Sequence, residues 1–273
     1  MAGLVDIHSH ILPEVDDGAT SMEMALEMLR RGLAEGIETA VLTPHLKPGD
    51  GADKEALHQE RFAAFKEAVE REDMPVELHL GAELTFRFGL ADIARWPSGT
   101  LAGGGVYALV DLPFGQLPPG LEQGLFELRA AGFKPILAHP ERHRNLARKP
   151  ELLERLRQQE LLFQVNAGSL MGQFGQRAQQ TAEFLLQRGW VEIIASDGHD
   201  LEKRPFSLAA AQARVRELCG TTAVQRLFSE NPRRAIDSES IEEAAIPMRR
   251  PRSRPGLLKR LFGKKKRKRI SGG

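Results

Sequence analysis

The stretch Leu4-Val5-Asp6-Ile7-His8-Ser9-His10 joins a short apolar strand to a pair of histidines. Side chains at positions i and i+2 of a strand point to the same side, so His8 and His10 can bind one metal ion. Asp17 follows in the loop Val15-Asp16-Asp17-Gly18 and adds a carboxylate. A strand with ligands at its carboxyl end is typical of parallel β/α proteins, whose active sites lie at that end.

Short apolar runs and amphipathic helical patterns alternate along the rest of the chain. Seven strands are predicted, at residues 4–7, 39–43, 76–80, 107–112, 135–138, 162–166 and 191–195. The first predicted helix has Thr20 and Glu23 at the spacing of a capping box and ends at Gly36. Further helices are predicted at residues 54–71, 121–131, 176–188, 208–218 and 223–229. The alternation predicts an α/β fold of parallel βαβ units, and seven such units favour a closed barrel.

Potential metal ligands recur at the carboxyl ends of six of the seven predicted strands. They are His8 and His10 after the first strand, His45 after the second, Glu83 after the third, Asp111 near the end of the fourth, His139 after the fifth, and Asp197 and His199 after the seventh. A single His-x-His pair is more often incidental than a metal site. The recurrence at one rim therefore carries the prediction of a metal centre.

The donor types restrict the metal. With Asp17 included, five imidazoles and four carboxylates are too many for one ion of four to six ligands, and they predict a cluster of two or three divalent ions. Nitrogen and oxygen donors without sulfur favour Mn, Fe or Zn over Ca. Such a cluster stays positive and attracts an anionic substrate.

Several residues lie outside this pattern. His58 and His79 are interpreted as ordinary surface or packing residues. Cys219 is the only cysteine, which excludes a disulfide framework and favours a reducing cytoplasm. A thiol phosphatase needs a Cys-x5-Arg loop, but Gln225 stands at the arginine position, so Cys219 is predicted to be inert. No apolar run reaches the roughly 18 residues of a membrane span, and the first residues lack signal-peptide features.

The ordered motifs resemble a known group of proteins. They are Asp6-Ile7-His8-Ser9-His10-Ile11, Val15-Asp16-Asp17-Gly18, Gly81-Ala82-Glu83, Ala138-His139-Pro140-Glu141-Arg142 and Ala195-Ser196-Asp197-Gly198-His199. In this order they are similar to the PHP (polymerase and histidinol phosphatase) superfamily. Within it they resemble the bacterial metal-dependent tyrosine phosphatases of capsule and exopolysaccharide loci, the CpsB/CapC type. The resemblance extends from about residue 5 to residue 233.

This resemblance implies a distorted seven-stranded β/α barrel that holds a trinuclear, usually manganese, centre. The implied ligands are His8, His10, Asp17, His45, Glu83, Asp111, His139, Asp197 and His199. Arg142 and Arg204 match the arginines that hold phosphate in the family. Asp111 departs from the family pattern, because relatives usually carry Glu there, and the shorter side chain is expected to alter or weaken one metal site. Pro140 replaces a family Ile, which we expect to matter little.

The implied function is manganese-dependent hydrolysis of phosphotyrosine on proteins. The implied substrate is the tyrosine-rich tail of a membrane-associated bacterial tyrosine kinase that regulates capsule or exopolysaccharide synthesis. One alternative is a small-molecule phosphoesterase acting on histidinol phosphate or nucleotide phosphates. Another is a non-catalytic metal-binding scaffold. An amidohydrolase also begins with His-x-His, but it usually needs a Lys on the fourth strand, where Asp111 stands.

The chain changes character near residue 247. Residues 1–248 contain 26 basic and 37 acidic side chains, a net charge of −11, whereas residues 249–269 contain twelve Lys or Arg and no acid. We therefore predict a barrel domain at residues 1–246 and a basic, largely disordered tail at residues 247–273. Residues 257–269 place four apolar side chains at helical spacing beside the basic run, which predicts binding to an anionic membrane surface. Nucleic acid and the acidic barrel domain are the competing partners. The expected location is cytoplasmic, peripheral at the inner face of the cell membrane.

Overall fold

The computed structural model describes residues 3–113 and 115–241. These ranges contain the strands β1 (Leu4–Ser9), β2 (Ile37–Leu42), β3 (His45–Leu46), β4 (Glu77–Leu80), β5 (Glu83–Thr85), β6 (Tyr107–Asp111), β7 (Lys134–Ala138), β8 (Leu162–Asn166) and β9 (Ile193–Ala195). Their α-helices are α1 (Met22–Ala34), α2 (Ala52–Arg71), α3 (Leu90–Ala94), α4 (Leu121–Ala130), α5 (Arg144–Arg148), α6 (Pro150–Gln158), α7 (Ala167–Leu170), α8 (Gln176–Gln187), α9 (Ala209–Cys219), α10 (Thr221–Gln225) and α11 (Asn231–Ile236). The predicted tail, including residues 257–269, lies outside the described residues.

The strands form two parallel sheets. One has the order β1-β2-β4, and the other has the order β3-β5-β6-β7-β8-β9. Every strand pair is parallel. The predicted α/β fold with parallel strands is therefore confirmed.

The predicted seven strands correspond to seven of the nine strands in the described residues. The two additional strands, β3 and β5, are short and contain His45 and Glu83. After a short interruption, β3 continues the course of β2, and β5 continues the course of β4. Pro44 has no N–H to donate to a ladder, but its carbonyl accepts from the Glu83 N–H at 3.2 Å, and the Gly81 N–H donates to the Leu42 carbonyl at 2.8 Å. The pairing thus carries on from one sheet into the other.

Backbone hydrogen bonds also join the end of β1 to the residues that follow β9. The Asp197 N–H donates to the His8 carbonyl at 2.9 Å, and the His10 N–H donates to the Gly198 carbonyl at 2.8 Å. Ser9 and Gly198 form an isolated parallel bridge. Residues near the start of the chain are thereby fixed beside residues that follow the last strand.

Alternation along the strands separates two apolar regions. On β6, Tyr107 and Leu109 belong to a smaller cluster with Ile7, Ile136 and Ile193. The intervening Ala108 and Val110 belong to the larger cluster that includes the helices. Because successive strand residues point to opposite faces, β1, β2, β6, β7, β8 and β9 each contribute to both clusters. Burial on both faces holds the strand ends, and therefore the side chains that follow them, in fixed positions.

Most predicted helices are present with small shifts. The predictions at residues 54–71, 121–131, 176–188 and 208–218 correspond to α2, α4, α8 and α9. The prediction at residues 223–229 corresponds to α10 and a π-helical turn at Arg226–Glu230. No helix was predicted between β7 and β8, where the structure has α5 and α6.

The predicted capping box on α1 is wrong by one residue. Ser21, not Thr20, is the N-cap, and its hydroxyl accepts a hydrogen bond from the Met24 N–H at 3.2 Å. The Thr20 hydroxyl instead lies 3.4 Å from the sulfur of Met24. Gly36 follows the helix with φ 93°, the left-handed conformation that glycine adopts at helix ends.

Two smaller expectations concern Cys219 and membrane spans. Cys219 is a buried free thiol whose pKa is raised by burial, which disfavours the reactive thiolate. Among residues 3–113 and 115–241, no helix has the length and apolarity needed to cross a bilayer.

Candidate metal centre

The predicted ligands converge beyond the carboxyl ends of the strands. Three overlapping sets have ligand atoms within 4.8 Å of one another: His10, Asp17, His45 and His199; His8, His10 and Asp197; and His8, Glu83 and His139. Asp111 lies beside the third set, with its Oδ1 3.8 Å from the Nδ1 of His139. All nine predicted positions therefore lie in one cluster.

Hydrogen bonds orient three of the imidazoles. The Nδ1 of His8 lies 2.9 Å from Gln164 Oε1, and the Nδ1 of His199 lies 2.9 Å from the Asp197 carbonyl. The Nδ1 of His10 lies 2.7 Å from Asp16 Oδ2. Each acceptor favours the tautomer with the proton on Nδ1, which leaves the Nε2 lone pair for a cation.

Glu83 lies at the centre of the cluster and is 1% exposed. Its Oε1 is 2.9 Å from His139 Nε2 and 3.4 Å from His8 Nε2. Its Oε2 is 2.9 Å from His45 Nδ1 and 3.4 Å from His10 Nε2. Burial alone would raise the pKa of this carboxyl, but the surrounding imidazoles hold the pKa well below its usual range. Glu83 is thus a carboxylate whose two oxygens face different pairs of imidazoles.

The Asp197 carboxylate has two different sides. Its Oδ2 accepts hydrogen bonds from Arg142 Nη1 at 2.6 Å, Arg204 Nη2 at 2.7 Å and Asn166 Nδ2 at 2.5 Å. Its Oδ1 is buried without a hydrogen-bond partner in the described part of the chain. That oxygen lies 3.5 Å from His8 Nε2. Burial would raise the pKa of Asp197, but the neighbouring cationic groups hold it below its usual range.

These details test whether the residues fit a divalent cation. Burial would lower the pKa of His10, but hydrogen bonds to Asp16 and Glu83 raise the pKa to about 10. The same balance, with Glu83 as the partner, raises the pKa of His139 to about 9. His8 Nε2 and His10 Nε2 lie only 3.3 Å apart. Close imidazole nitrogens, buried carboxylates that attract protons, and the bare Oδ1 of Asp197 together fit a cation at this place.

Two ligand-bearing residues have left-handed backbones. His139, directly after β7, has φ 31°, and Asp197, two residues after the end of β9, has φ 54°. This conformation costs non-glycine residues on the order of 1–3 kcal/mol and concentrates at functional sites. Both residues are members of the ligand cluster.

Arg142 and Arg204 reach Asp197 from separate loops. Arg142 ends the 3-10 turn Pro140–Arg142 that follows His139. Arg204 lies in the loop after His199, and the Arg204 carbonyl accepts a hydrogen bond from the His199 N–H at 2.7 Å. Its Nε is buried and has no hydrogen-bond partner within residues 3–113 and 115–241. The two predicted arginines therefore lie side by side at the edge of the ligand cluster.

Sequence reasoning missed the residues that support the ligands. The sixth predicted strand was the one without a ligand, but it carries Gln164, which contacts His8, and Asn166, which contacts Asp197. Their spacing of two on a buried strand is the signal that could have found them. Asp16 was passed over in favour of Asp17, and Asp6 accepts the N–H groups of His8 and Ser196.

The two histidines interpreted from the sequence as surface or packing residues, His79 and His58, lie outside the cluster. His79 pairs with Glu77 at 2.9 Å, as expected for a surface residue. His58 is fully buried on α2, which fits the predicted packing role.

A family model described as capsular polysaccharide synthesis, CpsB/CapC, matches residues 4–237. This chain belongs to the CpsB/CapC family. The resemblance proposed from the sequence motifs is thus confirmed.

Members of the CpsB/CapC family are similar to this chain over most of their length. The tyrosine-protein phosphatase YwqE of Bacillus subtilis is 29% identical over 261 residues, covering 95% of this chain and 99% of the relative. The putative tyrosine-protein phosphatase CapC of Staphylococcus aureus is 31% identical, covering 75% and 80%. The tyrosine-protein phosphatase CpsB of Streptococcus pneumoniae is 26% identical, covering 87% and 100%.

Solved structures agree with the family assignment. A chain from the crystal structures of Bacillus subtilis YwqE and Streptococcus pneumoniae CpsB, described as unique metal-dependent tyrosine phosphatases, superposes with a TM-score of 0.80 at 29% identity. The match covers 88% of this CpsB/CapC chain and 96% of the other. The Escherichia coli phosphotriesterase homology protein superposes with a TM-score of 0.55 at 11% identity, which indicates a shared fold alone.

Proposed function

We propose that this CpsB/CapC protein hydrolyses phosphotyrosine on proteins at a centre of two or three divalent cations. The observation that carries the proposal is the different surroundings of the two Asp197 carboxylate oxygens. One oxygen faces the imidazole cluster and the other receives both arginines. The Asp197 carboxylate thus lies between the cation site and the two guanidinium groups. A phosphoryl group would be bound where these positive groups meet.

We infer that all nine clustered residues hold the metal. They are His8, His10, Asp17, His45, Glu83, Asp111, His139, Asp197 and His199. When bound, divalent cations supply positive charge against the phosphoryl oxygens and lower the pKa of water toward neutrality. Manganese is our preferred ion, with Fe or Zn as alternatives that the donor set also accepts.

Arg142 and Arg204 are assigned to the substrate phosphate. A guanidinium group presents five N–H donors in one plane and can bind two phosphate oxygens at once. The buried Nε of Arg204, with no acceptor among the described residues, supports this role. A tyrosine leaving group has a pKa near 10, so it departs with less protonation than an alkoxide needs.

We also infer that the two sheets form one distorted closed barrel. The support comes from the hydrogen bonds between β1 and the residues after β9, and from the pairing that runs from β2 and β4 into β3 and β5. A closed arrangement would bring all strand ends to one rim, where the ligand cluster lies.

The partner and location are proposed from the chain as a whole. We propose residues 1–246 as the barrel domain and residues 247–273 as a basic tail. The substrate would be a membrane-associated tyrosine kinase, and the protein would act in the cytoplasm at the inner face of the membrane. Residues 257–269 would bind anionic lipid there.

The function is tested by measuring hydrolysis together with metal content. The purified protein is expected to contain bound transition metal, to lose activity in a chelator, and to regain it with Mn²⁺. It should prefer a phosphotyrosyl peptide to histidinol phosphate and nucleotide phosphates. The variant His139→Ala should lose activity and metal, whereas the control His79→Ala should keep both. Chelator-resistant hydrolysis, or a clear preference for the small esters, would contradict the proposal.

A further inference from the structure

A loop at residues 171–175 lies between α7 and α8, beyond the carboxyl end of β8. Phe174 in this loop is half-buried, and its ring lies under the Arg142 guanidinium, with Cζ of Arg142 4.0 Å from the ring centroid. Arg142 also donates to Asp197. The Arg142 guanidinium therefore contacts both an aromatic ring and a carboxylate.

The loop is held close to the site by specific contacts. The Gln173 N–H donates to the Gly168 carbonyl at 3.0 Å. Gly168 makes the approach possible, because a Cβ there would lie 1.9 Å from Gln173 Oε1 and 3.1 Å from Phe174 Cε2. The Gln173 amide donates to the carbonyl of Lys203, the residue before Arg204, at 2.5 Å. The loop thus touches both arginine-bearing segments.

We propose that Phe174 is a positioning residue that fixes the plane of the Arg142 guanidinium for the phosphate group of the substrate. The inference rests on the proposed phosphatase function. Stacking occupies the face of a guanidinium and leaves its N–H donors pointing outward in the plane. With the Asp197 contact fixing the rotation in that plane, the direction of the guanidinium N–H donors is set before a phosphate arrives.

The expected effect follows from this preorganisation. An arginine without the stacking partner keeps its charge but must be ordered when phosphate binds, which costs affinity. Phe174→Leu keeps an apolar side chain of similar size and removes the aromatic face. Phe174→Tyr keeps the aromatic face. The affinity for phosphate should therefore depend on the aromatic ring at position 174 and not on the apolar volume of the side chain.

The experiment compares these two variants in the metal-loaded full chain. Inorganic phosphate binding is measured by titration calorimetry, and KM and kcat are measured with a phosphotyrosyl peptide. For Phe174→Leu, the phosphate Kd and the peptide KM should both rise about tenfold, while kcat changes less. Phe174→Tyr should stay within about twofold of the unaltered protein on the same scale.

The control is Phe184→Leu, the same substitution at a phenylalanine that also stacks with an arginine, Arg188, at 5.2 Å. It should leave phosphate affinity unchanged. Unchanged affinity in Phe174→Leu, or equal losses in Phe174→Leu and Phe174→Tyr, would overturn the proposal. These results differ from a failure of the proposed function, in which the unaltered protein itself would not hydrolyse the peptide.

Discussion

Asp16 acts on three parts of the metal centre through one carboxylate. It bonds to the His10 ring at 2.7 Å, to the Gly18 N–H at 2.9 Å and to the His45 N–H at 3.3 Å. Burial would raise its pKa, but the His10 contact lowers the pKa to about 2, so the group is charged at neutral pH. A ligand set supported in this way depends on a residue that is not itself a proposed ligand.

Asp16→Asn should therefore weaken metal binding. The amide has no charge and can present an N–H to His10, which favours the wrong tautomer. We expect a loss of about 10- to 100-fold in affinity for Mn²⁺, measured by competition with a chelating dye. The matched control is Asp92→Asn, at a side chain that is 87% exposed. Equal affinity in the two variants would contradict this role for Asp16.

His58 gives a pH dependence of stability that is separate from catalysis. It is fully buried, and neither ring nitrogen has a hydrogen-bond partner in the described ranges. Burial, and next the charge of Lys54, lower its pKa from 6.5 to about 4. The unfolded chain therefore takes up a proton between pH 6.5 and 4 that the folded chain does not, so His58 makes stability fall as the pH falls through this window.

His58→Leu should remove this contribution. Lowering the pH from 7 to 5 should reduce the unfolding free energy of the unaltered protein by about 2 kcal/mol more than that of the variant. The measurement is urea unfolding of both proteins at each pH. His58→Phe should show the same trend, because it also lacks the titrating nitrogens. A difference between variant and parent that is constant with pH would refute the assignment.

At the scale of elements, two adjacent hydroxyl residues at the N-terminus of α1 have different roles. Ser21 caps the helix, whereas Thr20 does not. Ser21→Ala should lower the unfolding free energy by about 1 kcal/mol, the usual effect of losing an N-cap. Thr20→Ala is the matched control and should change it much less. Thermal or urea unfolding measures both, and equal losses would contradict the distinct role of Ser21 as the N-cap.

Most of the strands were predictable because they are short apolar runs, and β1, β6 and β8 are buried along their whole length. The interruptions that create β3 and β5 were not, since they depend on pairing between Pro44 and Glu83 across two strands. Helices α5 and α6 were missed because both are short and Pro150 separates their patterns. Within the site, histidine and acidic residues could be predicted as metal ligands from their residue type alone. Neutral supports such as Gln164 are recognised only once the strand beside them is known.

The whole molecule joins an acidic body to a strongly basic segment. Residues 249–269 contain twelve Lys or Arg and no acid. A chain shortened to residues 1–246 should keep phosphatase activity on a soluble peptide and lose adsorption to vesicles of anionic lipid, because each basic residue contributes about 1 kcal/mol near such a surface. Vesicle sedimentation measures adsorption. Unchanged adsorption of the shortened chain would remove the membrane proposal, and binding to nucleic acid alone would favour the other partner.

The bonding between β1 and the residues after β9 has a consequence for biosynthesis. His8 leaves the ribosome early, whereas Asp197 and His199 emerge only after most of the described chain has been made. Since domains complete their folding as they are synthesised, no nascent fragment that stops before β9 can assemble the full ligand set. Termination products that end before β9 should therefore be inactive toward phosphoesters, and catalysis should begin only after Asp197 and His199 have been synthesised.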